Sequence, residues 1–353
     1  MRSYRSSALI ASAALALGAA AVPASAFADD TASPTSITTA DLVSALTADK
    51  ASTAAAGKIG WIATGTFAEG GSAPAAVKAI YAVQRGAMSI GGTTDIGVIE
   101  AQHSGTYMTL STIGYGHGHG RSPRIKAALK AIKKPAATWF FLPDASLDLR
   151  KPDGNSDIAQ VAPDNMLQQL IDPKQTTLTG TPTETVAIDG STTYAFSEKD
   201  LTSDGESGTG TVTVDAHGVL TAFTVVGASG TGSLTYSYGP QQVALPSAAS
   251  TVTFQQLNEG TFLATLSHSM KSEATQVARL ATRAAHKHAV KVSAIRANAR
   301  MEASLTNSMT GAKVESITPI PGGVRITGTN RYNHTHVSYT VKASGTKAVV
   351  RKA

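Results

Sequence analysis

Between Ile59 and Tyr238 the chain keeps returning to one pattern: an apolar or aromatic residue at every second position, with Thr, Ser or Gly between. Ile59, Trp61, Ala63 and Phe67 share one parity, and Thr64 and Thr66 take the other. Val212 and Val214 alternate with threonines, a turn follows at Asp215–Gly218, and the chain returns through Val219, Phe223 and Val225. Leu234, Tyr236 and Tyr238 face one way, while Ser233, Thr235 and Ser237 face the other. Successive strand residues point to opposite faces. Alternation sustained this long therefore demands antiparallel sheet with one dry face and one wet face. The dry face must be covered, and that requirement limits the fold more than any other feature.

Three helical patterns can supply cover. "TTADLVSALTADKASTAAAG" (38–57) reads as a first helix, capped by Thr38 or Thr39, with Asp41 in its first turn and Gly57 as its stop. "SPRIKAALKAIKKP" (122–135) predicts a short basic helix, and "APDNMLQQLIDP" (162–173) predicts another presenting Met166, Leu167, Leu170 and Ile171. Neither repeats often enough for βαβ crossovers, so the fold class is α+β. Beyond Pro246 the period changes to helical. From Phe262 to about Leu305 the apolar residues fall in one stripe about 120° wide. No proline or glycine interrupts it, and a single amphipathic helix of this length would run about 60 Å. After Gly311 two or three further strands follow, with "PGG" turning into the first.

Charge divides the chain at the same place. Residues 29–258 carry 14 basic and 20 acidic side chains, whereas 259–353 carry 14 basic and 4 acidic. Arg2 and Arg5 precede an uncharged run from Ala8 to Val22, shorter than the roughly 20 residues a bilayer span needs. "VPASAFADD" offers cleavage after Ala26 or Ala28. We expect a signal peptide over 1–28, a disordered tether over 29–35, a sheet domain over 36–257 and a basic helix-plus-sheet module over 258–353. The mature chain is expected to be secreted or envelope-associated, without a transmembrane helix. The chain has no cysteine, which removes disulfides, thiolate metal sites and the acceptor for a lipid anchor.

Order and texture over 36–257 carry a resemblance. "EAQHSGTYMTLSTIG", "KKPAATWFFLP", "PDNMLQQLIDP", "VAIDGSTTYAFS", "VTVDAHGVLTAFTV" and "YSYGPQQVALPSA" follow one another as in the LolA/LppX-like superfamily of extracytoplasmic lipid carriers. The region resembles that superfamily in its succession of elements, not in a short invariant signature. The resemblance implies a strongly curved antiparallel half-barrel with a helical plug, and a cavity for lipid or acyl chain. The related lipoproteins carry a lipidated cysteine that this chain lacks.

On that reading the hydrophobic-cavity candidates are Trp61, Phe67, Met88, Ile90, Met108, Leu110, Phe196, Phe223, Leu234, Tyr236 and Tyr238. An acyl chain loses about 0.8 kcal/mol for each methylene left in water, so a carrier needs apolar lining and no catalytic group. The alternative is a non-catalytic protein-interaction or wall-associated module whose half-barrel is filled by its own side chains. His117/His119, His286/His288 and His334/His336 are His-x-His pairs without a third ligand at chelating spacing, and solvated histidine is the expected state. G-x-S-x-G, H-E-x-x-H and Walker patterns are absent. No enzyme, metal or cofactor is expected. Arg279, Arg283, Lys287, Lys291, Arg296 and Arg300 are candidates for contact with an anionic membrane surface or cell-wall polymer, nucleic acid being excluded for an exported chain.

Overall fold

The computed structural model describes residues 33–69, 72–90, 97–111, 123–151, 156–200, 207–227 and 230–353. The signal-peptide stretch 1–28, tether residues 29–32 and the His117/His119 pair lie outside the described residues. In chain order the elements begin with β1 (Thr35–Ser36), α1 (Thr39–Gly57), β2 (Trp61–Glu69), β3 (Ala75–Ala82), β4 (Arg85–Ile90), β5 (Val98–Ala101) and β6 (Gly105–Thr109). There follow α2 (Pro123–Ala131), β7 (Trp139–Pro143), α3 (Asp157–Gln160), α4 (Pro163–Ile171), β8 (Thr176–Val186) and β9 (Thr192–Asp200). Next come β10 (Ser207–Val214), β11 (Leu220–Gly227), β12 (Gly230–Tyr238) and β13 (Thr251–Thr253). The last are α5 (Phe254–Ala264), α6 (Leu266–Ala284), α7 (Val292–Thr310), β14 (Glu315–Ile320), β15 (Gly323–Asn330), β16 (Thr335–Ser344) and β17 (Lys347–Lys352).

The chain forms two compact units. The first takes the residues through Tyr107 together with Pro143–Leu245, and the second takes Met108–Leu142 with Pro246–Ala353. The stretch 108–142, which the sequence reading places in the first domain, is thus grouped with the C-terminal part. Its Leu110, Ile125, Leu129, Ile132 and Phe140 share a core with Val252, Leu263 and Met270. Local alternation and amphipathicity do not say which core an apolar residue joins.

The first unit is a large antiparallel sheet whose strands run β1-β8-β9-β10-β11-β12-β2-β3-β4-β5-β6. The expected hairpin is present: β10 and β11 pair, and the Asp215 carboxylate accepts the His217 and Val219 amides at 2.8 and 3.0 Å. The chain's last strand in this unit, β12, is not an edge. It lies between β11 and β2, with Tyr238 opposite Trp61 and Phe223 opposite Leu234. Thr35, expected in the tether, is instead in a strand opposite Glu184. The dry face is covered by α1 and by α3 and α4. Thr38 and Asp41 form the capping box of α1. Leu42 and Leu46 from α1, with Ile158, Met166, Leu167 and Leu170 from α3 and α4, pack with Trp61, Met88, Phe196, Val212, Phe223 and Leu234.

The second unit covers a four-stranded antiparallel sheet, β14-β15-β16-β17, with helices. One strand, β14, precedes the "PGG" turn and escaped the sequence reading. The forty-residue helix is corrected. It is three helices, with a break at Thr265 and another over 285–291, where His286 and Lys287 take φ +44° and +69°. Neither break has a glycine or proline. Breaking there lets α6 and α7 both bury an apolar face, Met270, Ala274 and Val277 from one, Ile295 and Ala299 from the other, with Val324, Ile326 and Val341 of the sheet. Buried Glu259 of α5 is neutralised by Arg331, at 2.8 Å.

A glycine decides how closely α2 and α5 cross. A β-carbon on Gly260 would stand 2.4 Å from the Ala128 carbonyl oxygen. Alanine usually stabilises a helix interior by up to about 1 kcal/mol over glycine. Here Gly260→Ala is expected to destabilise by about 1–3 kcal/mol through overpacking. Urea unfolding checks the sign, and a stabilised variant would show that the helices separate freely.

Candidate functional site

An opening in the first unit lies where the helical cover of the sheet ends. Ala54, Gly57 and Lys58 at the end of α1, Trp61 of β2, Tyr81 of β3, Leu149 and Arg150, and Ala162 and Asp164 at the start of α4 enclose a half-open cleft of about 400 Å³. Register places Trp61 directly opposite Tyr81. Their rings stack at 5.8 Å with 21° between planes, and Tyr236 meets Trp61 edge-on at 6.2 Å. Such pairs stabilise beyond their burial, so the floor is a rigid aromatic surface. The Tyr236 hydroxyl donates to the Val161 carbonyl at 3.2 Å, and the Tyr81 hydroxyl to that of Val83 at 2.9 Å.

The walls are held by polar contacts. Gln102 donates to the Asp148 carboxylate at 3.0 Å and accepts the Leu149 amide at 2.8 Å. The same carboxylate accepts the Arg150 amide at 3.1 Å, which fixes the loop that carries Leu149 and Arg150. Lys50 of α1 donates to the Gln168 side chain of α4. The Arg150 guanidinium stands beside the Tyr81 hydroxyl, whose hydrogen bond raises its affinity for its proton. Lys58 and Arg150 are both exposed at the rim. Asp164 is half-buried, and that burial shifts its carboxyl upward from the ordinary value.

The wall that continues into α4 rests on a buried acid. Glu100 accepts the Ser156 hydroxyl at 2.6 Å and the Asp157 and Ile158 amides at 2.9 and 3.4 Å. Gly86, opposite Glu100 in register, leaves the space that Ile158 fills: a β-carbon there would lie 2.4 Å from the Ile158 side chain.

The candidates from the sequence fall into three groups. Trp61 lines the cleft and, 3% exposed, also belongs to the core. Met88, Phe196, Phe223, Leu234 and Tyr236 are buried in the core beneath the helices, and Phe67 and Tyr238 are packed against it. There the inner-face side chains pack with Leu42 and Leu46 of α1 and with Met166, Leu167 and Leu170 of α4. Leu110 is in the second unit's core, and Met108, partly buried, packs against it. The side chain of Ile90 lies outside the described residues. Ile59, expected on the dry face with Trp61, is 55% exposed, since β2 begins after it.

Tyr81 is not among the sequence candidates, although the alternation of Val77, Ala79 and Tyr81 carries a signal for it. Lys58, Leu149, Arg150 and Asp164 have no such signal, because loop and helix-end residues carry no period. Of the cationic candidates, Arg279, Arg283 and Arg300 are exposed on α6 or α7, Lys287 and Lys291 are in the connection between them, and Arg296 is half-buried. His286 and His288 lie in that connection, and His334 sits in the turn before β16. No group of three potential metal ligands stands together among the described residues. No helix among them is long and apolar enough to cross a membrane.

No family model matches the chain, and no curated protein matches it. Among solved structures it is similar to the crystal structure of LprF from Mycobacterium bovis, with TM-score 0.29 and 13% identity over 61% of this chain and 99% of LprF. A likeness of that size assigns nothing to the cleft. By its own architecture the chain is an α+β protein with a large, curved, helix-covered antiparallel sheet and a separate four-stranded sheet.

Burial raises the Glu100 carboxyl from its ordinary 4.5 to about 7. Between those values the folded chain holds a proton that the unfolded chain has released. The contribution of Glu100 is therefore fully present below about pH 4.5 and is lost as pH rises toward 7. Stability difference between wild type and Glu100→Gln, measured by urea unfolding from pH 4 to 8, is expected to shift by about 3 kcal/mol across that window. A flat difference would show that the three donors keep the carboxylate ionised throughout.

Proposed function

We propose that the first unit binds an amphiphile, a lipid or other acyl-chain compound, in the cleft at the end of α1, without catalysis, outside the cytoplasmic membrane. One observation carries the reading: a cleft of about 400 Å³ with a stacked Trp61–Tyr81 floor and two exposed cations, Lys58 and Arg150, on its rim. Its volume falls within the roughly 300–1,000 Å³ of small-molecule sites, which are mostly apolar with a few placed polar groups. The aromatic floor, Ala54 and Leu149 take the apolar part. Lys58 and Arg150 take an anionic head through charge-assisted hydrogen bonds. Binding and release then stay near balance, because the cleft returns to the chain about what a bilayer gives it. The sequence resemblance to extracytoplasmic lipid carriers and the expected export signal agree with this assignment.

A second reading is favoured by the packed inner face. With Phe196, Phe223 and Leu234 buried against α1 and α4, the first unit is also suited to recognise protein as a self-filled scaffold.

Two tryptophans, Trp61 and Trp139, occur in the chain, so Trp139→Phe leaves Trp61 as the sole reporter. Titration with a fatty acid brominated along its chain is expected to quench it. Lys58→Glu with Arg150→Glu should weaken that binding about tenfold or more, as expected for lost hydrogen bonds to charge. Organic extraction and native mass spectrometry of freshly purified protein should reveal bound lipid. An unquenched Trp61 together with a clean apo mass would leave the scaffold reading.

A further inference from the structure

The hairpin of α6 and α7 presents a surface that neither the cleft nor the core accounts for. On α7, Met301, Leu305 and Met309 are 55%, 56% and 53% exposed. Single exposed apolar residues are ordinary. Three at intervals of four on one helix form a continuous ridge. Placed at 100° per residue, the outward arc of α7 from Ser293 to Met309 spans about 160° without a charged residue. Ala294, Ala297, Asn298 and three serines fill the rest of it. Phe254, 55% exposed, opens α5, whose Asn258 donates to the Met309 carbonyl at 3.2 Å, so that helix abuts the end of the ridge.

The neighbouring helix is basic. Thr306 of α7 donates to the Glu273 carboxylate of α6 at 2.9 Å. This contact marks where the two helices meet, with the ridge beside the stretch from Lys271 to Arg279 along the hairpin. His268, Lys271 and Arg279 line an open groove of about 470 Å³ on α6, and Arg283 follows in its last turn. Of the two carboxylates of the hairpin, Glu273 bonds Thr306, and Glu302, at the edge of the arc, is half-buried near Glu315. Among the described residues the ion pairs are Lys151–Asp148 and Arg331–Glu259, so this basic rank is not neutralised by salt bridges there.

From these placements we infer that the α6–α7 hairpin is a docking surface for a bilayer carrying anionic headgroups. Such a surface takes an amphipathic helix with its apolar residues seated at the headgroup–acyl boundary and its basic residues among the headgroups. Met301, Leu305 and Met309 supply the first, and Lys271, Arg279 and Arg283 the second. A second copy of the chain fits less well. It would set one basic rank against another, and three half-exposed side chains fall far short of the roughly 800 Å² per partner of a standard interface.

The test is co-sedimentation of the full chain with vesicles of phosphatidylcholine alone or mixed with phosphatidylglycerol. Binding is expected to the mixed vesicles and to fall with salt. Arg279→Gln with Arg283→Gln should weaken it by about fivefold for each charge removed. Met301→Ser, Leu305→Ser and Met309→Ser together should abolish it while leaving the melting temperature and the quenching of Trp61 unchanged. Retained sedimentation of Lys58→Glu with Arg150→Glu would separate this surface from the cleft. The inference is overturned if the triple serine variant sediments as wild type, if binding ignores headgroup charge, or if the ridge variant instead dissolves a dimer seen by analytical ultracentrifugation.

Discussion

A sheet that is dry on one face cannot be left uncovered, and where its cover stops decides where a ligand can enter. In the first unit α1 lies on the sheet through Leu42 and Leu46, each such side chain contributing about 1.5–3 kcal/mol by its removal from water. Past α1 the backbone turns at Gly60, which takes φ +123° and leaves no room for a β-carbon beside the carbonyls of Tyr81 and Gly239. Cover therefore ends over Trp61 and Tyr81. The cleft is a consequence of helix length against sheet length, and the aromatic residues beneath it are core side chains reached from one side.

The same rule works differently in the second unit. Four strands need less cover than a large curved sheet, and two antiparallel helices suffice. Alanines at 274, 278, 281, 299 and 303 bring those helices close to the sheet and to each other. Small inward residues consume little of each helix's circumference. The outward arcs are left free to diverge in chemistry, one basic and one uncharged with methionine and leucine. Inside, Glu315 sits almost fully buried beside Glu273, and burial together with that neighbour holds its carboxyl well above the ordinary carboxylate range. The carboxyl is thus held neutral, which is how a core tolerates an acid without a cationic partner.

Much of the first unit was legible from residue order. The hairpin around Asp215–Gly218, the capped helix from Thr39 and the leucine-rich helix after Pro163 stand where the pattern put them. The packing of the inner face was not legible. Parity shows that Phe196 and Leu234 point inward, but not whether they meet a guest or Leu46. The long helix failed for a related reason. His286 and Lys287 take left-handed backbone angles that glycine would have announced, and the apolar stripe stays in phase across the break. Lys58 and Arg150 converge on the cleft from positions far apart in the chain, one past a helix end and one in a loop. No local period connects them.

What the sequence by itself determined is a set of local choices: most of the strands and their dry faces, where α1 and α4 begin, and that the net positive charge lies in the C-terminal part. Those follow from backbone geometry acting over a few residues, with periods of 2 and 3.6 that can be read directly. Tertiary structure alone decided which core Met108 and Leu110 join, where the helix breaks, and that Phe196, Phe223 and Leu234 are buried while a cleft opens at the end of α1. Each of those depends on surfaces brought together from distant parts of the chain, and close packing is settled by the shapes that meet there.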